Sequence, residues 1–224
     1  MSLEVKICGL KTEVTLGVAL DAGADLVGFM FFPASPRNVD FATARTLGRR
    51  VDGRARKVAV TVDADDGLLD RIVEALAPDL LQLHGVETPE HVVAIKHRYG
   101  VPVMKVIPVH TSDDLSVVPA YAAVADRLLF DARAPRDATR PGGLGTPFDW
   151  RLLAQLEPGL AFMLSGGLDA DNVAAALAIT RAPGVDVSSG VERAPGEKDP
   201  ARIRAFIRAA RDAVRAETPI ASTA

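Results

Sequence analysis

Short runs rich in β-branched residues and leucine recur along the whole chain, at residues 5–8, 26–32, 57–62, 80–84, 102–109, 127–131, 161–165 and 185–188. Each has strand length, and almost every one ends in Gly, Pro or a polar residue. Between them lie stretches with helical punctuation. Thr12 is placed to cap a helix whose apolar face is Leu16, Ala19 and Leu20, stopped at Gly23. Leu69, Ile72, Val73 and Leu76 recur at i, i+3, i+4 and i+7 ahead of Pro78. Thr88-Pro89 reads as an N-cap and first helical residue, with Gly100 as the stop. A helix is expected over 169–177. Asp199-Pro200 opens the clearest one, with Ile203, Phe206, Ile207, Ala210 and Val214 on one face.

Strand and helix thus alternate from end to end, without a compositional break that would mark a linker. Such alternation implies parallel strands joined by right-handed crossovers. Eight units in 224 residues, about 28 each, favour a closed (β/α)8 TIM barrel over the alternative, an open doubly wound sheet. The expected organisation is a single α/β barrel domain over residues 1–216, followed by a disordered tail over 217–224.

Strand side chains alternate between faces, and the polar residues fall on one parity. Val5 and Ile7 oppose Lys6 and Cys8; Leu81 and Leu83 oppose Gln82 and His84; Leu128 and Phe130 oppose Asp131; Val185 and Val187 oppose Asp186 and Ser188. In the fifth strand Lys105 shares a face with Val103 and Ile107. Helices cover the outside of a barrel, so the apolar parity is expected to face them and the polar parity the axis. Cys8, His84 and Asp131 then converge at the C-terminal mouth, where barrel enzymes build their sites. Closure also makes strand eight the neighbour of strand one, so Lys6 and Asp186 are expected to pair beneath that mouth, since an unpaired charge there is costly.

Two loops read as a phosphate clamp of the kind found in phosphate-binding barrels. Ser165-Gly166-Gly167 follows strand seven and Ser188-Ser189-Gly190 follows strand eight, and small residues let backbone N–H groups close on a phosphate. The segment 132–147, with Arg133, Arg136, Arg140 and Gly142-Gly143-Leu144-Gly145, is long for a strand-to-helix connection and is either a lid or a solvated basic loop.

Composition narrows the function classes. Hydrophobic residues at 48% and charged residues at 25% exclude general disorder. No apolar run reaches the ~18 residues of a membrane-spanning helix, and a net charge of −3 does not favour nucleic acid. Cys8 is the only cysteine, which excludes internal disulfides and cysteine-based zinc sites. With no recognisable signal peptide, a cytoplasmic address is expected. His91, His97 and His110 show no metal-binding spacing, and Walker and dinucleotide fingerprints are missing. The cluster Arg49, Arg50, Arg54, Arg56 and Lys57 reads as solvated surface at a helix end.

Lys6-Ile7-Cys8-Gly9-Leu10 with Ser35-Pro36-Arg37 resembles the phosphoribosylanthranilate isomerase family of tryptophan biosynthesis. The similarity continues through Gln82-Leu83-His84-Gly85, Leu129-Phe130-Asp131, Gly142-Gly143-Leu144-Gly145 with Phe148-Asp149-Trp150, and Gly166-Gly167-Leu168 with Asn172-Val173. It closes with Asp186-Val187-Ser188-Ser189-Gly190-Val191-Glu192 and Pro195-Gly196-Glu197-Lys198-Asp199, covering essentially residues 5 to 208. Strand three departs from the family, with Ala59-Val60-Thr61 where a Gly and an aromatic are common. The resemblance implies an Amadori rearrangement of an aldose amine to an aminoketose. It implies Asp131 as the general acid that opens the ribose ring and Cys8 as the general base at the adjacent carbon. Lys6, on the same face, is the candidate for lowering the Cys8 pKa. Arg37 matches the residue that meets the anthranilate carboxylate. His84 and Asp186 are assigned to substrate binding, and Gly166, Gly167, Ser189 and Gly190 to the phosphate. One acid and one base suffice, so no metal or organic cofactor is expected.

The expected partner is the small-molecule substrate, with neither nucleic acid nor membrane, and the pattern leaves monomer or homodimer open. The alternatives are another sugar-phosphate barrel isomerase, such as the one of histidine biosynthesis, or a non-catalytic ligand-binding barrel. The first pairs two aspartates and needs no cysteine; the second has no reason to keep both Cys8 and Asp131.

Overall fold

The computed structural model describes residues 3–217, apart from 136, 137, 139, 140, 144, 146 and 158. Eight parallel strands close into a barrel in chain order: β1 (Glu4–Cys8), β2 (Leu26–Phe31), β3 (Arg56–Thr61), β4 (Leu80–Leu83), β5 (Val103–Val109), β6 (Arg127–Ala132), β7 (Phe162–Leu164) and β8 (Gly184–Val187). Closure pairs β8 with β1, setting Lys6 opposite Asp186, while Cys8 stands opposite Gly28 on β2.

The helices are α1 (Glu13–Asp21), α2 (Phe41–Val51), α3 (Asp66–Leu76), α4 (Pro89–Tyr99), α5 (Val118–Ala122), α6 (Val173–Thr180) and α7 (Pro200–Glu217). Thr12, Asp40, Asp65 and Thr88 cap α1 to α4, each side chain accepting from a backbone N–H of the first turn. Gly100 ends α4 in the left-handed conformation, which its lack of a Cβ permits. Between β6 and β7 the outer layer holds a 3-10 segment, Trp150–Gln155, in place of an α-helix. Among the described residues no helix is long and apolar enough to cross a membrane.

Strand alternation sorts the core into two clusters. Cys8, Leu26, Val58, Val60, Leu80, Met104, Val106, Leu129 and Met163 pack inside the barrel. Val5, Ile7, Phe29, Leu81, Ile107, Phe130 and Val185 pack outward with Leu16, Ile72, Phe206 and other helix residues.

Lys105 lies on the outward parity of β5, the face it shares with Val103 and Ile107. There its ammonium donates to Glu87 Oε2 at 2.9 Å and to the Gly85 carbonyl at 2.7 Å. A long aliphatic stem lets it pack among outward apolar residues while the head reaches a loop carboxylate. The helix expected over 169–177 begins only at Val173. Asp169 Oδ1 instead accepts from the N–H groups of Asp171 and Asn172, turning the chain before it coils. α7 runs to Glu217, and the tail expected to be disordered beyond it lies outside the described residues.

Candidate active site

The C-terminal ends of the strands ring a cavity of about 660 Å³, within the usual size of small-molecule sites. Cys8, Gln82, His84, Asp131, Ser165 and Asp186 reach it from strand ends, and Arg37 from the loop after β2.

The floor is built by β8, β1 and β2. Lys6 is fully buried and donates to Asp186 Oδ1 at 2.9 Å, the pair expected from barrel closure. Burial works against the ammonium, but Asp186 and then Cys8 outweigh it and raise the Lys6 pKa. Burial also pushes the Cys8 thiol up, and Asp186 adds to this; Lys6 and Lys198 pull the other way without winning. Lys6 thus acts on Cys8 in the expected direction, but burial of the thiol is the larger effect and leaves its pKa raised. Opposite the thiol, β2 carries Gly28, and a Cβ there would lie 3.0 Å from Cys8 Sγ and 3.3 Å from Lys6 Nζ. Gly28→Ala should therefore displace the thiol, lowering kcat on the order of tenfold to a hundredfold with little change in unfolding temperature. Steady-state kinetics beside thermal melts check this.

Asp131 and His84 face each other across the mouth. Asp131 Oδ1 accepts from its neighbour's N–H, Ala132, at 2.9 Å. Burial first, then Asp186, raise its pKa from 3.8 to about 7, against weaker opposition from that hydrogen bond, Lys6 and Ser165. His84 Nε2 stands 3.5 Å from Asp131 Oδ2 and has no hydrogen-bond partner among the described residues. This contact is not an ion pair at neutral pH, because burial, then Lys105 and Lys6, push His84 down to about 3.

Arg37 crosses the face of Gly9, whose φ of +78° and missing Cβ make room for the Arg37 Cδ. Its Nε and Nη2 both donate to Glu192 at 2.8 Å, and Nη2 also to the Gly143 carbonyl at 3.2 Å. Half of the guanidinium fork is therefore taken by protein, and Nη1 is the group without a partner among the described residues. Glu192 is in turn bound by Lys198 Nζ at 2.7 Å.

Gly166 and Gly167 line the cavity with φ of +87° and +69°, and their N–H groups donate to no described residue. Ser189 lines the same end. Gly190 lies behind it, where a Cβ would fall 1.9 Å from the Leu168 carbonyl oxygen, so it holds the two loops in contact. The loop after β6 covers the mouth: a Cβ on Gly142 would sit 2.5 Å from Asp131 Oδ2 and 2.9 Å from His84 Nε2, and one on Gly143 2.6 Å from Arg37 Nη1. Gly142, Gly143 and most of its other described residues line the cavity, although Arg133, Pro135, Gly145 and Pro147 are also exposed, while Arg136, Arg140 and Leu144 lie outside the described residues.

Cys8, Arg37, His84, Asp131, Gly166, Gly167, Asp186 and Ser189 are brought together on one cavity, with Gly190 just behind. Sequence reasoning assigned no role to Glu192 and Lys198, although both stand in its quoted motifs. Their signal is two charges near a Gly that follows a strand end, and only the fold shows them buried together.

The N-(5'phosphoribosyl)anthranilate (PRA) isomerase family model matches residues 5–209. An N-(5'-phosphoribosyl)anthranilate isomerase of Bradyrhizobium diazoefficiens is 68% identical over 94% of this chain and 95% of its own length. One of Nitrobacter hamburgensis is 65% identical over 95% of each. Among solved structures, phosphoribosyl anthranilate isomerase of Thermotoga maritima superposes with a TM-score of 0.85 at 32% identity, covering 94% of this chain and 99% of that one. Another solved phosphoribosyl anthranilate isomerase, at TM-score 0.82 and 30% identity over the same shares, holds reduced 1-(o-carboxyphenylamino)-1-deoxyribulose 5-phosphate. The chain belongs to the N-(5'-phosphoribosyl)anthranilate isomerase family.

Proposed function

We propose that Asp131 is the general acid and Cys8 the general base of the family's reaction in this chain, with the barrel of residues 1–216 as the catalytic domain. The activity is isomerisation of N-(5'-phosphoribosyl)anthranilate in tryptophan biosynthesis. Asp131–H protonates the ribose ring oxygen as the C1–O bond breaks, giving an open Schiff base. Cys8 then takes the proton from C2, and the resulting enolamine tautomerises to the aminoketose. A carboxyl raised to about 7 keeps a substantial share of its proton at neutral pH, as a donor must. The observation that carries the reading is a buried carboxyl sharing a cavity with the chain's lone thiol.

The remaining groups divide the substrate between them. Arg37 Nη1 meets the carboxylate of the anthranilate ring, as a guanidinium edge suits a carboxylate. The free N–H groups of Gly166 and Gly167, with Ser189 and Gly190, hold the phosphate. His84 Nε2, buried and unpartnered, is suited to a ribose hydroxyl. Asp186 holds Lys6 in place and, facing the cavity, borders the sugar. The chemistry as written uses only these side chains. A homodimer is one assembly open to this chain, since the Thermotoga maritima relative is described as dimeric.

Incubation with N-(5'-phosphoribosyl)anthranilate, following loss of anthranilate-type fluorescence, tests the reading. Turnover by the intact chain is expected; fluorescence unchanged at micromolar enzyme contradicts it.

A further inference from the structure

Three buried charges stand in a row behind the cavity wall. Glu192 accepts from Arg37 Nε and Nη2, from Lys198 Nζ and from the Gly196 N–H at 3.2 Å. The side chains of Arg37, Glu192 and Lys198 are 3%, 4% and 1% exposed. Burial pushes the Glu192 carboxyl up, but Arg37 and Lys198 outweigh it and hold it ionised. Two cations therefore share one carboxylate, and the cluster keeps one net positive charge. Lys198 spends its other donors on Ser188, at 2.8 Å to the carbonyl and 3.2 Å to Oγ. Only Arg37 of the three lines the cavity, with Nη1 unbonded among the described residues. An uncompensated buried charge is expensive unless an anion completes the set.

We propose that Lys198 determines selectivity for a carboxylate-bearing substrate by acting through Glu192: it neutralises Glu192 so that the Arg37 guanidinium keeps its positive charge for the ligand. Without Lys198, Arg37 and Glu192 form a closed, neutral pair, and the attraction for the substrate carboxylate is lost even though Arg37 is still present. Lys198 touches no substrate in this account; it is a positioning residue for charge. The proposal rests on the reading that Arg37 receives the anthranilate carboxylate.

The test compares two ligands by calorimetry at pH 7, where Lys198, pushed down to about 8 chiefly by burial, still holds its proton. One is reduced 1-(o-carboxyphenylamino)-1-deoxyribulose 5-phosphate, and the other is the same molecule without the carboxyl group. Lys198→Met should weaken the carboxylated ligand roughly tenfold to thirtyfold, the effect of one charge acting over several ångströms of partly polar protein. The ligand without the carboxyl should change less than about twofold. Glu192→Gln combined with Lys198→Met restores a single positive charge and should recover most of the lost preference, whereas a packing role predicts that the double variant is worse.

Equal loss for both ligands, no loss for either, or a double variant as poor as the single overturns the proposal. If Lys198→Met alone does not fold, Glu192→Gln and the double variant must bind the carboxylated ligand within about twofold of each other, since Lys198 has nothing left to neutralise, and a gap of about tenfold between them overturns the proposal. Arg37→Met separates the two levels. An intact carboxylate preference in that variant removes the Arg37 assignment and this proposal with it. A preference lost with Arg37→Met but kept with Lys198→Met removes this proposal alone.

Discussion

Asp131→Asn should lose at least about a thousandfold in kcat, because a carboxamide cannot deliver a proton to the ring oxygen and removal of a positioned acid typically costs 10²–10⁴. The same variant should be more stable than the native protein at pH 8. Folding moves the Asp131 pKa from 3.8 to about 7, so the native state binds more protons than the unfolded chain between those values. Stability from this group is therefore highest below pH 4, declines as pH rises through the window, and is lowest above 7. At roughly 1.4 kcal/mol per pKa unit the burden at pH 8 is about 4 kcal/mol, and a neutral Asn should recover a few kcal/mol of it. His84 acts in the opposite sense: its folded pKa is depressed to about 3, so its contribution is lost as pH falls from 6.5. Denaturant unfolding of both proteins at pH 5 and pH 8 isolates Asp131. The advantage of Asp131→Asn should be present at pH 8 and shrink by pH 5. A variant less stable than native at pH 8 contradicts the assignment of a carboxyl whose pKa is raised by folding.

Cys8→Ala should be the second large loss, again on the order of a thousandfold in kcat, since no other thiol exists in the chain and the proton at C2 would be left to water. Ring opening needs only the acid, so a Schiff-base species should accumulate in this variant and not in Asp131→Asn. Phosphate affinity should be largely unchanged in both, because the groups assigned to the phosphate are backbone N–H groups of Gly166 and Gly167, which neither substitution removes. Rapid-mixing absorbance with N-(5'-phosphoribosyl)anthranilate, beside phosphate binding by calorimetry, checks the pair. Near-native turnover in Cys8→Ala removes the base assignment.

Much of this was legible because it depends on periodicity. The eight strand runs, the caps at Thr12 and Thr88 and the inward parity of Cys8, His84 and Asp131 are local properties of the chain. Closure alone then brought Lys6 to Asp186. What failed depends on balances between distant groups. Lys6 does pull the Cys8 pKa down, but the net direction turns first on burial of the thiol and then on Asp186, neither of which is visible in the local sequence. Lys105 could be placed on the apolar parity of its strand, but not its partner Glu87, which a loop supplies outside the barrel. Arg37 showed its place at the cavity but not that Glu192, 155 residues on, already holds half of its fork. Glu192 and Lys198 could not be weighed before the fold buried them together.

The raised pKa of both catalytic groups gives the account its sharpest consequence. The reactive form has Asp131 protonated and Cys8 deprotonated, although Asp131 is the stronger acid of the two. It is a minority state, and its population rises through the Asp131 pKa and falls only through that of Cys8. The single-turnover rate constant, with enzyme in saturating excess over substrate between pH 5.5 and 10, measures this directly. The rate should climb through neutrality and decline only above the ordinary cysteine value of 9.0. A rate that halves between pH 7 and 8 would mean that Asp131 is lost as the acid while Cys8 is already thiolate, and would contradict it.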